Sequence, residues 1–138
     1  MVDAAVGTPG GPTSPGALRL TAVAFMSAGV LHFIVPDAYA AIVPPYLPSP
    51  LTLVLVSGFF EFVGGAGLLV ARLRTPAAIG LLVLLVAVLP ANVEMLRQAQ
   101  ARDAAMATQA AYWIRLPLQP LLMWWVWRVS RPRRDLST

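Results

Sequence analysis

Four apolar stretches, each close to the length of a bilayer span, decide most of what this chain can become. They are Ala17–Val35, Leu51–Ala71, Pro76–Leu96 and Tyr112–Val129. A helix needs roughly 20 apolar residues to cross about 30 Å of hydrocarbon. Lipid offers no partner to a backbone N–H or C=O, so a spanning segment must satisfy its own hydrogen bonds, as a helix does. The stretches are continuous rather than alternating, which favours helix over barrel strand. The expected fold class is therefore all-α, an integral membrane four-helix transmembrane bundle. The balance of residues agrees: 58% hydrophobic, 12% charged and mean hydropathy +0.72, against about 25% charged residues in a soluble domain.

The flanks are of a different character. Residues 1–16 are rich in Gly, Pro, Ser and Thr, lack apolar periodicity and read as a disordered N-terminal tail. Residues 17–129 form the expected transmembrane domain, with spans at about 17–35, 51–71, 76–96 and 112–129, and residues 130–138 form a basic tail. Ala38-Tyr39-Ala40 looks like a small-residue cleavage site. The first span is nevertheless long for a signal peptide and no Arg precedes Arg19, so retention is expected. The connection from Pro36 to Pro50 holds Pro36, Pro44, Pro45, Pro48 and Pro50 and cannot be helical throughout.

Every basic side chain is Arg, and the net charge is +4. The arginines gather at the ends of the apolar stretches, which is a topology signal rather than a nucleic-acid surface, and no nucleic-acid partner is expected. With four spans, Arg19, Arg72, Arg74, Arg128, Arg131, Arg133 and Arg134 share one side, while Arg97, Arg102 and Arg115 share the other. The positive-inside rule then places both termini in the cytoplasm of a multi-pass cell-membrane protein. There is no cysteine, which excludes dithiol, disulfide and thiolate-metal chemistry within the chain. His32 is the single histidine, so a multi-histidine metal or haem site within one chain is excluded and no metal is expected. No phosphate loop, dinucleotide fingerprint or nucleophile elbow occurs.

Against this apolar background the polar side chains stand out. Glu61 is the only ionisable residue between Leu51 and Ala71, and a charge at mid-span costs about 2.5 kcal/mol or more. Ser57, Gly58, Gly64 and Gly65 flank it on one helical face, so its carboxyl should point into the bundle rather than at lipid. At 1.5 Å per residue, His32, Asn92, Glu94, Arg115 and Gln119 all fall at or beyond the depth of Glu61, toward the outer side. Pro90, Pro117 and Pro120 each remove one helical amide donor, so the outer halves of spans three and four are expected to be irregular.

His32, Glu61, Asn92, Arg115 and Gln119 are thus the candidate ligand-binding or proton-handling residues. For each a packing role stands beside the functional one. Glu61 is either a neutral acid bonded to a neighbouring helix or part of a ligand, proton or ion site. His32 either donates to a backbone carbonyl or pairs with Glu61. Arg115 either anchors the interface or pairs with Glu61 or Glu94.

Gly29-Val-Leu-His32-Phe, Pro36 and Ile42-Val43-Pro44 resemble the start of DoxX-like membrane proteins. Ser57-Gly58-Phe-Phe-Glu61 with Gly64-Gly65-Ala66-Gly67-Leu resembles their second helix. Leu89-Pro90-Ala91-Asn92 and Arg115-Leu-Pro117-Leu-Gln119 resemble the end of their third helix and the start of their fourth, so the resemblance covers about residues 18–128. It implies a small four-helix integral membrane protein. Its named members include a subunit associated with thiosulfate–quinone oxidation and others proposed to accompany redox enzymes, while many have no established activity.

The leading expectation is a non-catalytic membrane component. It would bind a small quinone-like ligand in an outer polar pocket, carry no covalently bound cofactor, and assist an oxidoreductase partner protein. A small transporter or proton-coupled carrier, acting as a homo-oligomer, and a purely structural assembly factor are the alternatives.

Overall fold

A computed structural model describes residues 14–131. Six helices occur in this range: α1 (Pro15–Ile34), α2 (Pro36–Ala40), α3 (Pro50–Leu69), α4 (Arg74–Ala87), α5 (Leu89–Ala101) and α6 (Met106–Ser130). No strand is present among the described residues. Three units are long and apolar enough to cross a membrane: α1, α3, and α4 with α5 taken as one run of 28 residues. Helix α6 has 25 residues but carries Arg115 and Gln119 in its interior.

The helix ends follow local chemistry rather than the limits of apolarity. Ser14 caps α1 through its side chain, which accepts from the Ala17 amide at 3.2 Å, and Pro15 occupies the first turn where its missing N–H costs nothing. Helix α1 thus starts two residues before the expected span, and the rest of the expected tail, residues 1–13, lies outside the described residues. Pro36 and Pro50 open α2 and α3 in the same way. At the other end of α3, Arg74 Nε donates to the Leu68 carbonyl at 3.2 Å. That contact satisfies an orphan carbonyl and sets a positive charge at a helix C-terminus. Helix α5 continues to Ala101 and α6 begins at Met106, each several residues past the apolar limits, because a helix persists into polar flanks that lipid does not require. Of the expected basic tail, residues 132–138 lie outside the described residues.

Irregularity is uneven between the proline-bearing helices. The third run breaks at Val88, between α4 and α5, two residues before Pro90. Helix α6, in contrast, runs unbroken through Pro117 and Pro120, so the expected irregularity of the fourth run is not seen in its helical assignment. Each of these prolines removes a single amide donor, which a long helix held by its neighbours tolerates.

The long helices are antiparallel neighbours, and the closest pair is set by glycine. A Cβ on Gly29 would lie 2.7 Å from the Gly58 carbonyl oxygen, and one on Gly65 would lie 2.8 Å from the Ala22 carbonyl oxygen. Helices α1 and α3 therefore touch backbone to backbone, the close approach that small residues allow between apolar helices. On the opposite side of α3, Gly64 receives the Leu81 side chain and Gly67 receives Ala77, which seats α4. Helix α6 closes against α4, α5 and, at its C-terminal end, α1, where Trp125 Nε1 donates to Thr21 Oγ1 at 2.9 Å.

The main apolar cluster lies at one end of this arrangement, with Val54, Leu96 and Ala99 buried outside it. Leu18, Ala22, Phe25, Leu68, Ala78, Leu81, Val126 and Val129 form a single cluster near the N-terminus of α1, the α3–α4 turn and the C-terminus of α6. Large apolar side chains lie exposed on every long helix, among them Leu20, Ile34, Phe59, Phe60, Val83, Ile114 and Leu121. A soluble fold of this size does not show so much outward apolar surface; a lipid-facing surface does. At the opposite end the helix pairs α1/α3 and α5/α6 separate, and the space between them holds the polar residues.

Candidate functional site

The separation leaves a cleft of about 960 Å³. All five candidates named from the sequence, His32, Glu61, Asn92, Arg115 and Gln119, line it. They do not form one cluster. They make two groups by their contacts, His32 with Glu61, and Arg115 with Asn92 and Gln119, and the lining includes apolar residues such as Val54, Leu84, Val88 and Leu122.

The first group belongs to α1, α2 and α3. The Gly29–Gly58 crossing places His32, one turn beyond Gly29, against α3, where its Nδ1 lies 3.4 Å from Glu61 Oε2. The same Nδ1 lies 2.9 Å from the Ala28 carbonyl oxygen. A carbonyl only accepts, so Nδ1 carries hydrogen and donates to it. Both side chains retain some access, at 13% and 16% of full exposure, so the pair is shielded but not sealed. Tyr39 of α2 stacks on the imidazole, with ring centroids 4.0 Å apart and planes inclined by 20°.

The second group belongs to α5 and α6 and is a chain of hydrogen bonds. Arg115 Nε donates to Asn92 Oδ1 at 3.0 Å, and Asn92 Nδ2 donates to Gln119 Oε1 at 2.9 Å. Gln119 Nε2 then donates to the Leu85 carbonyl. Leu85 sits in the last turn of α4, where a helix leaves carbonyls without intrahelical donors, so the break at Val88 creates the acceptor that Gln119 fills. The chain runs from a group that only donates to one that only accepts, so each amide in it has one allowed orientation. Gln119 is buried; Arg115 remains exposed at the cleft edge.

Both roles weighed for His32 coexist: it donates to a backbone carbonyl and it contacts Glu61. Arg115 pairs with neither carboxylate among the described residues. Glu94 is taken instead by Arg97, at 3.1 Å, and by Gln98. No group of three or more His, Cys, Asp or Glu suited to a metal ion occurs among the described residues. The sequence reading did not include Tyr39 in the site. The available signal was Pro36 followed by Asp37, a helix-start pattern that sets Tyr39 back over the end of α1. The Leu85 carbonyl and Trp125, which also lines the cleft, were likewise not singled out.

Residues 21–130 match the model of a domain of unknown function (DUF8561). No curated protein and no solved structure matches the chain.

Proposed function

The chain belongs to the DUF8561 family, and we propose that it is a membrane-embedded ligand-binding component of a redox system, non-catalytic on its own. In this reading α6 is the fourth span of a four-helix transmembrane bundle, both termini face the cytoplasm, and the cleft opens in the outer half of the membrane. The ligand is a small amphipathic molecule of the quinone type, exchanged with an oxidoreductase partner. The resemblance to DoxX-like proteins supports the same assignment.

One observation carries the proposal: a mostly apolar cleft of about 960 Å³ lined by His32, Glu61, Asn92, Arg115 and Gln119. Pockets of roughly 300–1,000 Å³, mostly apolar with a few placed polar groups, are typical of small-molecule sites. A bundle whose polar groups served only to pin helix register would bury them against one another, as Gln119 is. Here His32, Glu61 and Arg115 instead line the cleft and keep some exposure. A quinone has polar oxygens on a flat apolar body, which suits a few polar side chains set among apolar lining.

The test is binding to purified protein in lipid nanodiscs. Trp124 and Trp125 line the cleft and report occupancy through their fluorescence. Glu61→Gln preserves shape and removes the ionisable carboxyl, so it should leave insertion and elution behaviour intact while weakening binding about tenfold, the effect of losing one good hydrogen bond. Unchanged binding in a folded Glu61→Gln protein sinks the proposal.

A further inference from the structure

We propose that one end of the bundle is a binding surface for anionic phospholipids, with Arg128 and Arg131 as its principal contacts to the headgroup phosphate. This is the end formed by the N-terminus of α1, the α3–α4 turn and the C-terminus of α6. Its chemistry does not depend on what the cleft binds. Arg19, Arg72, Arg74, Arg128 and Arg131 all stand here. Among the described residues no Asp or Glu accompanies them, since Asp37, Glu61, Glu94 and Asp103 belong to the middle or the opposite end. None of the five arginines is in an ion pair among the described residues. At the opposite end, by contrast, Glu94 holds Arg97 at 3.1 Å and Asp103 directly follows Arg102. Like charges gathered without a counterion repel one another, so this end calls for an anionic partner.

Two aromatic rings fix where the charges lie. The guanidinium of Arg128 sits over the Trp124 ring and that of Arg131 over the Trp127 ring, each with its central carbon 5.2 Å from the ring centroid. Residues four apart share a helix face, so each pair holds its cation against the side of α6. The ring attracts the charge but accepts no conventional hydrogen bond, so the guanidinium donors remain for a phosphate oxygen. Arg74 is set by a different contact. Its Nε donates to the Leu68 carbonyl at 3.2 Å, which leaves its two terminal nitrogens. The Trp125–Thr21 bond ties α6 to α1 and brings Arg19 to about the level of Arg128.

Apolar side chains lie among these charges. Leu20, beside Arg19, is 72% exposed, and Leu73, between Arg72 and Arg74, is 52% exposed. The Trp124 and Trp127 rings are 51% and 40% exposed. A free phosphate would meet the arginines and leave this apolar surface in water. A phospholipid meets both, with its phosphate on the guanidinium groups and its chains on Leu20, Leu73 and the indoles. Indole suits the headgroup level because an apolar body carries a polar N–H. A zwitterionic headgroup brings its own cation, which the arginines repel, so net-anionic lipid is selected.

Native mass spectrometry of the full chain in detergent micelles, titrated with phosphatidylglycerol or phosphatidylcholine of identical chains, counts bound lipid directly. Phosphatidylglycerol should bind at least about tenfold more tightly. Its affinity should fall as ammonium acetate rises from about 0.1 to about 1 M, because salt screens exposed charge. One basic side chain near an anionic surface contributes roughly fivefold. Arg128→Gln combined with Arg131→Gln should therefore weaken phosphatidylglycerol about 25-fold and leave phosphatidylcholine unchanged. Arg102→Gln, at the opposite end, should change neither. Equal affinities for the two lipids in wild type overturn the proposal, as does a double variant that loses no more than Arg102→Gln. Displacement of the lipid by inorganic phosphate at matched ionic strength overturns lipid as the occupant. If the double variant fails to insert, Trp127→Leu decides: it keeps every charge, should weaken phosphatidylglycerol about threefold, and overturns the proposal if binding is unchanged.

Discussion

Replacing Gly58 by Ala tests the packing on which the His32–Glu61 contact depends. The added Cβ would sit 2.5 Å from His32 Cβ and 3.0 Å from the Gly29 carbonyl oxygen. Neither neighbour is the end of a flexible chain: one is the root of a side chain on α1 and the other is α1 backbone. Ordinary contact begins at 3.4 Å, so α1 and α3 must part by about 0.9 Å at this crossing. Overpacking of this kind costs about 1–3 kcal/mol; a central value of about 2 kcal/mol corresponds to roughly thirtyfold in the folded-to-unfolded ratio. The same displacement pulls His32 Nδ1 away from Glu61 Oε2, now at 3.4 Å, and beyond hydrogen-bond reach. Gly80→Ala is the internal control, since nothing lies within 4 Å of a Cβ there. It should be neutral or stabilising by up to about 1 kcal/mol, from helix propensity. Unfolding in mixed micelles titrated with sodium dodecyl sulfate, followed by tryptophan emission, gives both free-energy changes. If Gly58→Ala is as harmless as Gly80→Ala, the close α1–α3 crossing is wrong, and with it the placement of His32 beside Glu61.

Further outcomes follow from individual contacts. Gln119→Glu keeps an acceptor for Asn92 but sets a carboxylate against the Leu85 carbonyl, so it should destabilise the protein by about 1–3 kcal/mol in the same titration; Asn92→Leu should lower ligand affinity while Arg115 itself is untouched. Trp125→Phe removes the 2.9 Å bond to Thr21 and should cost about 0.5–1.5 kcal/mol. Thr21→Ala added to it should contribute little more, because both changes break one interaction. The absence of native cysteine makes topology directly measurable: a Cys introduced at Asp103 should react with an impermeant thiol reagent applied from outside, and one at Arg72 should not. The reverse pattern refutes the proposed orientation.

Much of the architecture is legible because lipid imposes strong local rules. A run such as Leu51–Ala71 has few options other than a helix, and small residues beside Glu61 indicate the face that packs. All five polar candidates were legible for the same reason, since a polar side chain within an apolar run demands an explanation. Their partners were not. Arg115 had two carboxylates within plausible reach and took an amide, because Glu94 was already engaged by Arg97 and Gln98 and because Asn92 lies opposite it across the α5–α6 contact. The stacking of Tyr39 on His32 is not legible because a proline-rich connection hides a short helix that folds back over His32. The break at Val88 was expected from Pro90, but whose side chain would use the released carbonyl depended on the register of α6 against α4.

Sequence alone determined the helical class, the approximate extent of the long helices and which polar residues sit within them. These follow from periodicity, apolar length and the cost of unsatisfied backbone in hydrocarbon, all of which act within a single segment. Tertiary structure alone decided that the five candidates line one cleft in two contact groups, His32 with Glu61 and Arg115 with Asn92 and Gln119. That outcome depends on where helices touch and where they separate: glycines draw α1 onto α3, the apolar cluster closes the terminal end, and nothing of comparable contact closes the other. Such distances are properties of pairs of helices, and no one segment encodes them.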